Sequence, residues 1–150
     1  MIAKKILIVE DELDIIDIYK LKLEKEGFIV EVAMDGFVAL TKALEFLPDL
    51  ILLDIMMPNM NGFDSLTTIR NLAPSLKETK IIMFSNLGSQ NDIDKAMSSG
   101  ADGYLVKANN TPAELVLKIK DFLNMNSSSH LVTCPHCGHE IDYNDIKIQK

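Results

Sequence analysis

Short apolar runs alternate along this chain with longer segments in which apolar residues recur at helical spacing. The apolar runs lie at residues 5–9, 28–33, 50–53, 80–84 and 103–106. Runs such as Ile51-Leu52-Leu53 are apolar on both faces, which parallel strands covered by helices on two sides require. The alternation therefore predicts βα units and an α/β fold built on a doubly wound, five-stranded parallel sheet.

Helix-period segments follow the apolar runs. The first is expected at residues 12–26, with Asp11 or Asp14 as its cap and Gly27 in the left-handed position after its end. The clearest start is Thr111-Pro112-Ala113-Glu114, where the threonine is the predicted N-cap and the glutamate completes a capping box. The other helices are expected from 36 to before Pro48, from 62 to before Pro74, and from about 89 to 100.

The end of the chain differs in composition from the rest. Residues 1–124 are predicted to form one domain, and the polar stretch within 125–131, which includes Asn126-Ser127-Ser128-Ser129, is predicted to be a flexible linker. Residues 132–150 are too few to build a core without a staple. We expect a small appendage there, in which the alternating apolar residues after Glu140 could pair as a strand.

Composition narrows the class of protein. A formal net charge of −7 argues against nucleic acid as a partner, because such proteins carry a basic patch or stripe. No segment has the apolar length of a membrane span. The first apolar run is interrupted after four residues by Glu10-Asp11-Glu12, so a strand is favoured over a signal peptide and a cytoplasmic location is predicted.

Charged side chains stand directly after three of the predicted strands. Glu10-Asp11 follow the first, Asp54 follows the third, and Lys107 follows the fifth. In an open α/β sheet, ligands bind at the carboxyl ends of the strands. Three carboxylates and one ammonium group meeting there predict a site for a divalent cation and a phosphoryl group.

These segments resemble the receiver domain of two-component response regulators over roughly residues 4–124. The motifs that carry the resemblance are Ile6-Leu7-Ile8-Val9-Glu10-Asp11, the segment from Asp54 to Gly62 with Met57-Pro58, Ile82-Met83-Phe84-Ser85, and Gly100-Ala101-Asp102-Gly103-Tyr104-Leu105-Val106-Lys107. The resemblance implies a flavodoxin-like sheet with strand order 2-1-3-4-5. It also implies that Asp54 accepts a phosphoryl group from a histidine kinase or a phosphotransfer protein.

Roles follow for the residues of the site. We expect Asp11 and Asp54 to bind Mg²⁺ directly, with the backbone carbonyl of Met56 as a third ligand and Glu10 acting through water. Lys107 would pair with phosphoryl oxygens as a point charge, and the Ser85 hydroxyl would donate to another oxygen.

The same resemblance implies a conformational switch. When Ser85 is drawn towards the phosphoryl group, Tyr104 would swing into the vacated space and change the surface that meets a downstream protein. The alternative is that Tyr104 is a half-buried strand aromatic that never moves.

The chain departs from the common pattern at three positions. Ala108 stands where most relatives have proline, and we expect the Lys107–Ala108 peptide to be trans because a cis non-proline bond costs about 2.5–4 kcal/mol. Asn86 replaces a smaller residue and is expected to narrow access for water or alter dephosphorylation. Glu10 replaces the commoner aspartate, a variation that the family tolerates.

The tail contains Cys134-Pro135-His136-Cys137-Gly138-His139, which resembles a zinc knuckle. We predict that Cys134 and Cys137 bind Zn²⁺, with His139 as the third ligand of the same chain; His136 and His130 are alternatives, as is a site shared across a homodimer. The motif is also similar to a redox CxxC, which belongs at the start of a helix, and inert thiols are the remaining alternative.

The sequence as a whole predicts a cytoplasmic response regulator that signals through phosphorylation-dependent protein contacts and is not an enzyme. One rival is a degenerate receiver that only dimerises, against which the complete set of Asp11, Asp54, Ser85 and Lys107 argues. Another is an aspartyl-phosphate hydrolase, which would need an acid two residues after the nucleophile, where this chain has Met56.

Overall fold

The computed structural model describes residues 3–57 and 61–124, together with two short strands near the C-terminus. Strands and helices alternate through the first two ranges, as predicted. The strands are β1 (Lys5–Val9), β2 (Ile29–Ala33), β3 (Leu50–Leu53), β4 (Lys80–Ser85) and β5 (Gly103–Val106). The helices are α1 (Leu13–Lys25), α2 (Gly36–Phe46), α3 (Gly62–Leu72), α4 (Gln90–Ser98) and α5 (Pro112–Phe122).

The five strands form one sheet in the order β2-β1-β3-β4-β5. Every neighbouring pair in this sheet is parallel. The chain runs from β1 outward to β2, then crosses β1 to reach β3 and continues in the other direction to β4 and β5, so the topological switch point lies between β1 and β3. Ligand sites of doubly wound sheets form at this point, beyond the carboxyl ends of the strands. The predicted fold class and strand order are confirmed.

Two apolar cores cover the two faces of the sheet. One contains residues of α2, α3 and α4 packed on the strands, including Ala39, Leu66 and Ala96. The other contains residues of α1 and α5, including Leu23 and Ile119. All four residues of β3 are buried, as expected for a central parallel strand enclosed on both sides.

Helix ends match the predicted signals in all but one case. Thr111 and Glu114 form the capping box of α5, and the Ser89 side chain caps α4. Gly27 has φ of +97°, in the region that favours glycine. The prediction that Asp11 or Asp14 caps α1 is wrong, because its N-cap residue is Glu12 and no side chain bonds there as a cap.

The carboxylate of Glu10 bonds the backbone just before α1 without capping the helix. Its Oε2 accepts hydrogen bonds from the backbone N–H groups of Asp11 at 3.1 Å and Glu12 at 3.3 Å. These donors lie just before the first turn, so the negative charge sits where the helix dipole favours it. The acid that serves this end therefore comes from the end of β1.

The remaining sequence predictions concern the loop after β5 and the tail. The Lys107–Ala108 peptide is trans, as predicted. The short strands β6 (Val132–Thr133) and β7 (Glu140–Ile141) pair antiparallel, with Thr133 opposite Glu140. The predicted linker and the candidate ligands Cys134, Cys137 and His139 lie outside the described residues. Among the helices that are described, none has the length and apolarity to cross a membrane.

Candidate functional site

Backbone hydrogen bonds place Glu10 and Asp54 side by side at the switch point. The ladder of the sheet continues one residue past the strand ends: the N–H of Glu10 donates to the Ala33 carbonyl and the N–H of Asp54 to the Val9 carbonyl, each at 3.0 Å. Val9 itself is paired with Leu53 in the parallel register. The residues that follow these strands are thus held at the same level on neighbouring strands.

Glu10, Asp11 and Asp54 offer carboxylate oxygens that lie within 4.8 Å of one another. The first and third of these residues are only 2% and 4% exposed, and Asp11 is half-buried. A set of carboxylate oxygens is the donor type that hard divalent cations prefer. The residues therefore fit a divalent cation, and the prediction that these acids come together is confirmed by the geometry.

Lys107 reaches this cluster from the far side of β4. Its Nζ bonds Glu10 Oε1 and lies 3.3 Å from Asp54 Oδ2. The Nζ also lies 5.8 Å from the centre of the Phe84 ring, over which the side chain passes. One ammonium group thus joins the carboxylates that end β1 and β3.

Burial and mutual charge perturb the titration of this pair. Burial, reinforced by the charge of Asp54, raises the pKa of Glu10 to about 7, although the contact with Lys107 opposes the change. Burial acts against the charge of Lys107, but its hydrogen bond to Glu10 and the neighbouring Asp54 carboxylate leave its pKa raised overall. The charged form of Lys107 is therefore favoured beside these carboxylates, whereas the charged form of Glu10 is disfavoured.

The loop after β3 is shaped by close packing against Asp54. A Cβ on Gly62 would lie 2.2 Å from the backbone carbonyl oxygen of Asp54, so no larger residue fits there without a shift of the backbone. The Gly62 N–H also donates to the Ile55 carbonyl at 2.9 Å. Glycine is therefore needed here for space.

Met56 follows Asp54 on the same loop. Its N–H donates to Asp54 Oδ1 at 3.3 Å, which orients the carboxylate, and its side chain is 64% exposed. An open cleft of about 510 Å³ borders Asp11 and this loop; its lining residues are Asp11, Ile55, Met56, Met57, Asn61 and Phe63. The role of the Met56 carbonyl as a ligand stays a prediction.

Ser85 and Tyr104 meet through a shared partner. Ser85 is fully buried at the end of β4, and its Oγ accepts a hydrogen bond from the N–H of Leu87 at 3.3 Å. The Tyr104 hydroxyl donates to the carbonyl of the same Leu87. Burial, with the charges of Asp92 and Asp54, raises the pKa of Tyr104 to about 12, so this hydroxyl keeps its proton. Sequence reasoning named both residues but missed Leu87, which carries no polar side chain to signal it.

The fold and the acidic cluster define a doubly wound α/β domain with three carboxylates grouped at the carboxyl ends of its strands. Residues 6–120 match the response regulator receiver domain family. The chain belongs to that family, so the resemblance inferred from its motifs is confirmed.

Relatives of known name support the same class. The chain is 33% identical over 147 residues to the phosphate regulon transcriptional regulatory protein PhoB of Rhizobium meliloti, an alignment that covers 97% of this chain and 64% of PhoB. It is 35% identical over 147 residues to the transcriptional regulatory protein SrrA of Staphylococcus aureus, covering 97% of this chain and 59% of SrrA. The chain thus spans less than two thirds of the length of either relative.

Solved structures agree with the fold. The chemotaxis protein CheY4 of Vibrio cholerae is similar with a TM-score of 0.75 and 32% identity, over 79% of this chain and 98% of CheY4. A CheY-like receiver domain protein of Methanospirillum hungatei has a TM-score of 0.75 and 34% identity, over 85% of this chain and 99% of that one. The chain is a receiver domain of a two-component response regulator.

Proposed function

We propose that Asp54 is the phosphoacceptor of this receiver. A carboxylate oxygen of Asp54 would attack phosphorus in a phosphohistidine, forming an O–P bond as the N–P bond breaks, and the departing imidazole would take up a proton. The observation that carries the proposal is the position of this buried carboxylate, within 4.8 Å of the oxygens of Glu10 and Asp11 and 3.3 Å from the Lys107 ammonium. Phosphoryl transfer needs mainly alignment and charge neutralisation, and this arrangement offers both.

Mg²⁺ is the cation that this donor set would hold. Asp11 and Asp54 would bind it directly, the Met56 carbonyl would complete the protein ligands, and Glu10 would act through water. When bound, the ion would neutralise charge on the phosphoryl oxygens. Lys107 would exchange its contacts with Glu10 and Asp54 for one phosphoryl oxygen. The Ser85 hydroxyl would donate a hydrogen bond to another phosphoryl oxygen.

Mass spectrometry after incubation with acetyl phosphate and Mg²⁺ tests the phosphoacceptor. We expect one added phosphoryl group on the wild-type protein and none on Asp54→Asn. Asp14→Asn, which changes an exposed acid in the first turn of α1, is the matched control and should be labelled normally. Full labelling of Asp54→Asn would show that another residue is the acceptor.

The switch would act through Leu87. Its N–H is bonded to the Ser85 hydroxyl and its carbonyl to the Tyr104 hydroxyl, so movement of Ser85 towards a phosphoryl group would disturb both contacts. Release of Tyr104 from Leu87 would then let the ring turn inward. The surface formed by α4, β5 and α5 would change its affinity for a downstream protein as a result.

A protein phosphodonor is supported by the apolar surface of α1. Leu13, Ile18 and Leu21 are all more than half exposed on this helix, whose first residue lies two positions after Asp11. Exposed large apolar side chains next to an active site favour contact with a protein partner. A cytoplasmic histidine kinase or phosphotransfer protein would dock there, and signalling through such contacts, without a reaction on a separate substrate, is the function that we propose.

The tail would add a metal site of its own. Cys134, Cys137 and His139 stand in the sequence between β6 and β7, which pair antiparallel, and thiolate and imidazole groups are the ligands that structural zinc sites use. We propose that these side chains bind Zn²⁺, alone or across a homodimer. Metal analysis of protein purified without a chelating tag tests this: zinc at half to one ion per chain is expected, and zinc-free protein with reactive thiols would refute it.

A further inference from the structure

The loop that carries Lys107 is held by hydrogen bonds to one side chain. After β5 the backbone makes a 3₁₀ turn over Lys107–Asn109, and the N–H of Asn110 closes it on the Lys107 carbonyl at 3.2 Å. Such short turns have poor hydrogen-bond geometry and need support from outside. Ala108 and Asn109 are not buried and offer little packing.

Asn110 supplies that support, and it is only 6% exposed. Its side-chain Nδ2 donates to the Val106 carbonyl at 2.8 Å, and its Oδ1 accepts from the Nζ of Lys118 on α5. Its backbone carbonyl accepts from the Tyr19 hydroxyl of α1 at 3.4 Å. One buried residue thus connects the end of β5 to two helices: its side chain bonds Val106 and Lys118 of α5, and its backbone carbonyl bonds Tyr19 of α1.

These contacts surround the path of the Lys107 side chain. The Tyr19 ring packs edge-on against Phe84 with 5.2 Å between the ring centres, and Lys107 passes over the same phenylalanine to reach Glu10 and Asp54. Asn110 fixes Val106, the residue before Lys107, from one side and the carbonyl of Lys107 from the other. The position of the ammonium group therefore depends on the bonds of Asn110.

We infer that Asn110 is a positioning residue for phosphoryl transfer, acting through Lys107 and without contact to the reacting atoms. The inference rests on the proposed role of Lys107. Small misplacements of a charged group reduce transfer steeply, because stabilisation requires alignment with the phosphoryl oxygens. The backbone that carries the carboxylates proposed to bind Mg²⁺ is held by β1 and β3, so its position does not depend on this loop.

The test is the initial rate of phosphorylation by acetyl phosphate over a titration of Mg²⁺. Asn110→Ala and the isosteric Asn110→Asp both lose the donor to the Val106 carbonyl, and we expect each to be about tenfold slower at saturating Mg²⁺. The half-saturating Mg²⁺ concentration should stay at the wild-type value. Lys118→Met, which removes one contact of Asn110, should show a smaller loss, whereas Lys120→Met, whose ammonium bonds Glu26 on the surface, should show none.

A control for stability is available on the same helix. Ile119→Val trims a fully buried residue of α5 that has no bond to the loop, so it lowers the thermal midpoint without touching Lys107. Its rate should match the wild type. Wild-type rates in both Asn110 variants, an equal loss in Ile119→Val, or a parallel weakening of Mg²⁺ dependence would overturn the inference. Wild-type protein that accepts no phosphate would instead refute the proposed function on which it rests.

Discussion

Two charged clusters lie at opposite edges of the same sheet and are built on opposite principles. At the carboxyl edge, Glu10, Asp11 and Asp54 bring their oxygens within 4.8 Å of one another around the ammonium of Lys107. At the amino edge, Arg70 of α3 pairs with Asp102, just before β5, with Nη2 and Oδ2 2.7 Å apart. The first cluster carries an excess of negative charge, and the second is balanced.

The amino-edge cluster satisfies its charged donors and acceptors. The Arg70 Nε donates to the Gly100 carbonyl at 2.9 Å, and Nη1 lies 3.1 Å from the Thr79 carbonyl. Asp102 Oδ2 also accepts from the N–H of Ile81 at 2.9 Å. The guanidinium therefore connects α3 to the segments before β4 and β5. These bonds pair the charges of Arg70 and Asp102 with each other, so the cluster stabilises the fold.

The two clusters differ as a ligand-binding site differs from a structural ion pair. Buried charge is stable only when paired and hydrogen-bonded, and at the carboxyl edge one ammonium group faces three carboxylates. Burial and the charge of Asp54 raise the pKa of Glu10 to about 7 although Lys107 bonds it. Such an arrangement is retained at a cost in stability, which is typical of functional sites. A ligand that brings positive charge would relieve it.

Replacing Lys107 tests the functional cluster most severely. Lys107→Met keeps most of the length of the side chain but removes the ammonium that faces Glu10 and Asp54. We expect phosphorylation by acetyl phosphate to slow by roughly 10²-fold or more, because a preorganised charge is lost from the transition state. Lys120→Met is the matched control on the surface of α5. A rate within a few fold of the wild type would remove Lys107 from the mechanism.

Replacing Arg70 should have the opposite signature. Arg70→Met leaves backbone carbonyls and Asp102 without their charged donor, and we expect the free energy of unfolding in urea to fall by about 2 kcal/mol. Far below the midpoint, the phosphorylation rate should be unchanged. Lys42→Met, which breaks the more exposed pair with Glu31, should cost little. A loss of rate without a loss of stability would mean that the two edges of the sheet are coupled.

Sequence reasoning predicted the sheet and the acids because both depend on local signals. Apolar runs, the capping box at Thr111 and the acids after Val9 and Leu53 are written in consecutive residues. Strand order and site roles needed the family resemblance. The residues that were missed act through long-range backbone contacts: Arg70 bonds Gly100 thirty residues away, and Asn110 accepts from Tyr19 across ninety-one.

The wrong cap at α1 has the same physical origin. Asp11 and Asp14 were both plausible from spacing, yet the carboxylate that bonds the N–H groups there belongs to Glu10, which the sheet ladder holds in place. Pairing within the sheet decided which acid bonds the backbone before α1. The sequence pattern at the start of a helix contains no information about that pairing. The same ladder makes Glu10 both a helix-end acceptor and a partner of Lys107.

Glu10→Gln should remove a pH dependence of stability that the excess of negative charge at the carboxyl edge causes in the wild type. Burial and the charge of Asp54 raise the pKa of Glu10 from 4.5 to about 7, so between these values the folded protein keeps a proton that the unfolded chain has released. Wild-type stability should therefore fall as pH rises through this window, by about 1–2 kcal/mol relative to the variant.

Urea unfolding at pH 5 and pH 7.5 with a metal chelator measures the difference. Added Mg²⁺ should reduce it, because a cation bound to the folded state favours ionised Glu10. Parallel pH curves for the two proteins would show that Glu10 carries no such penalty.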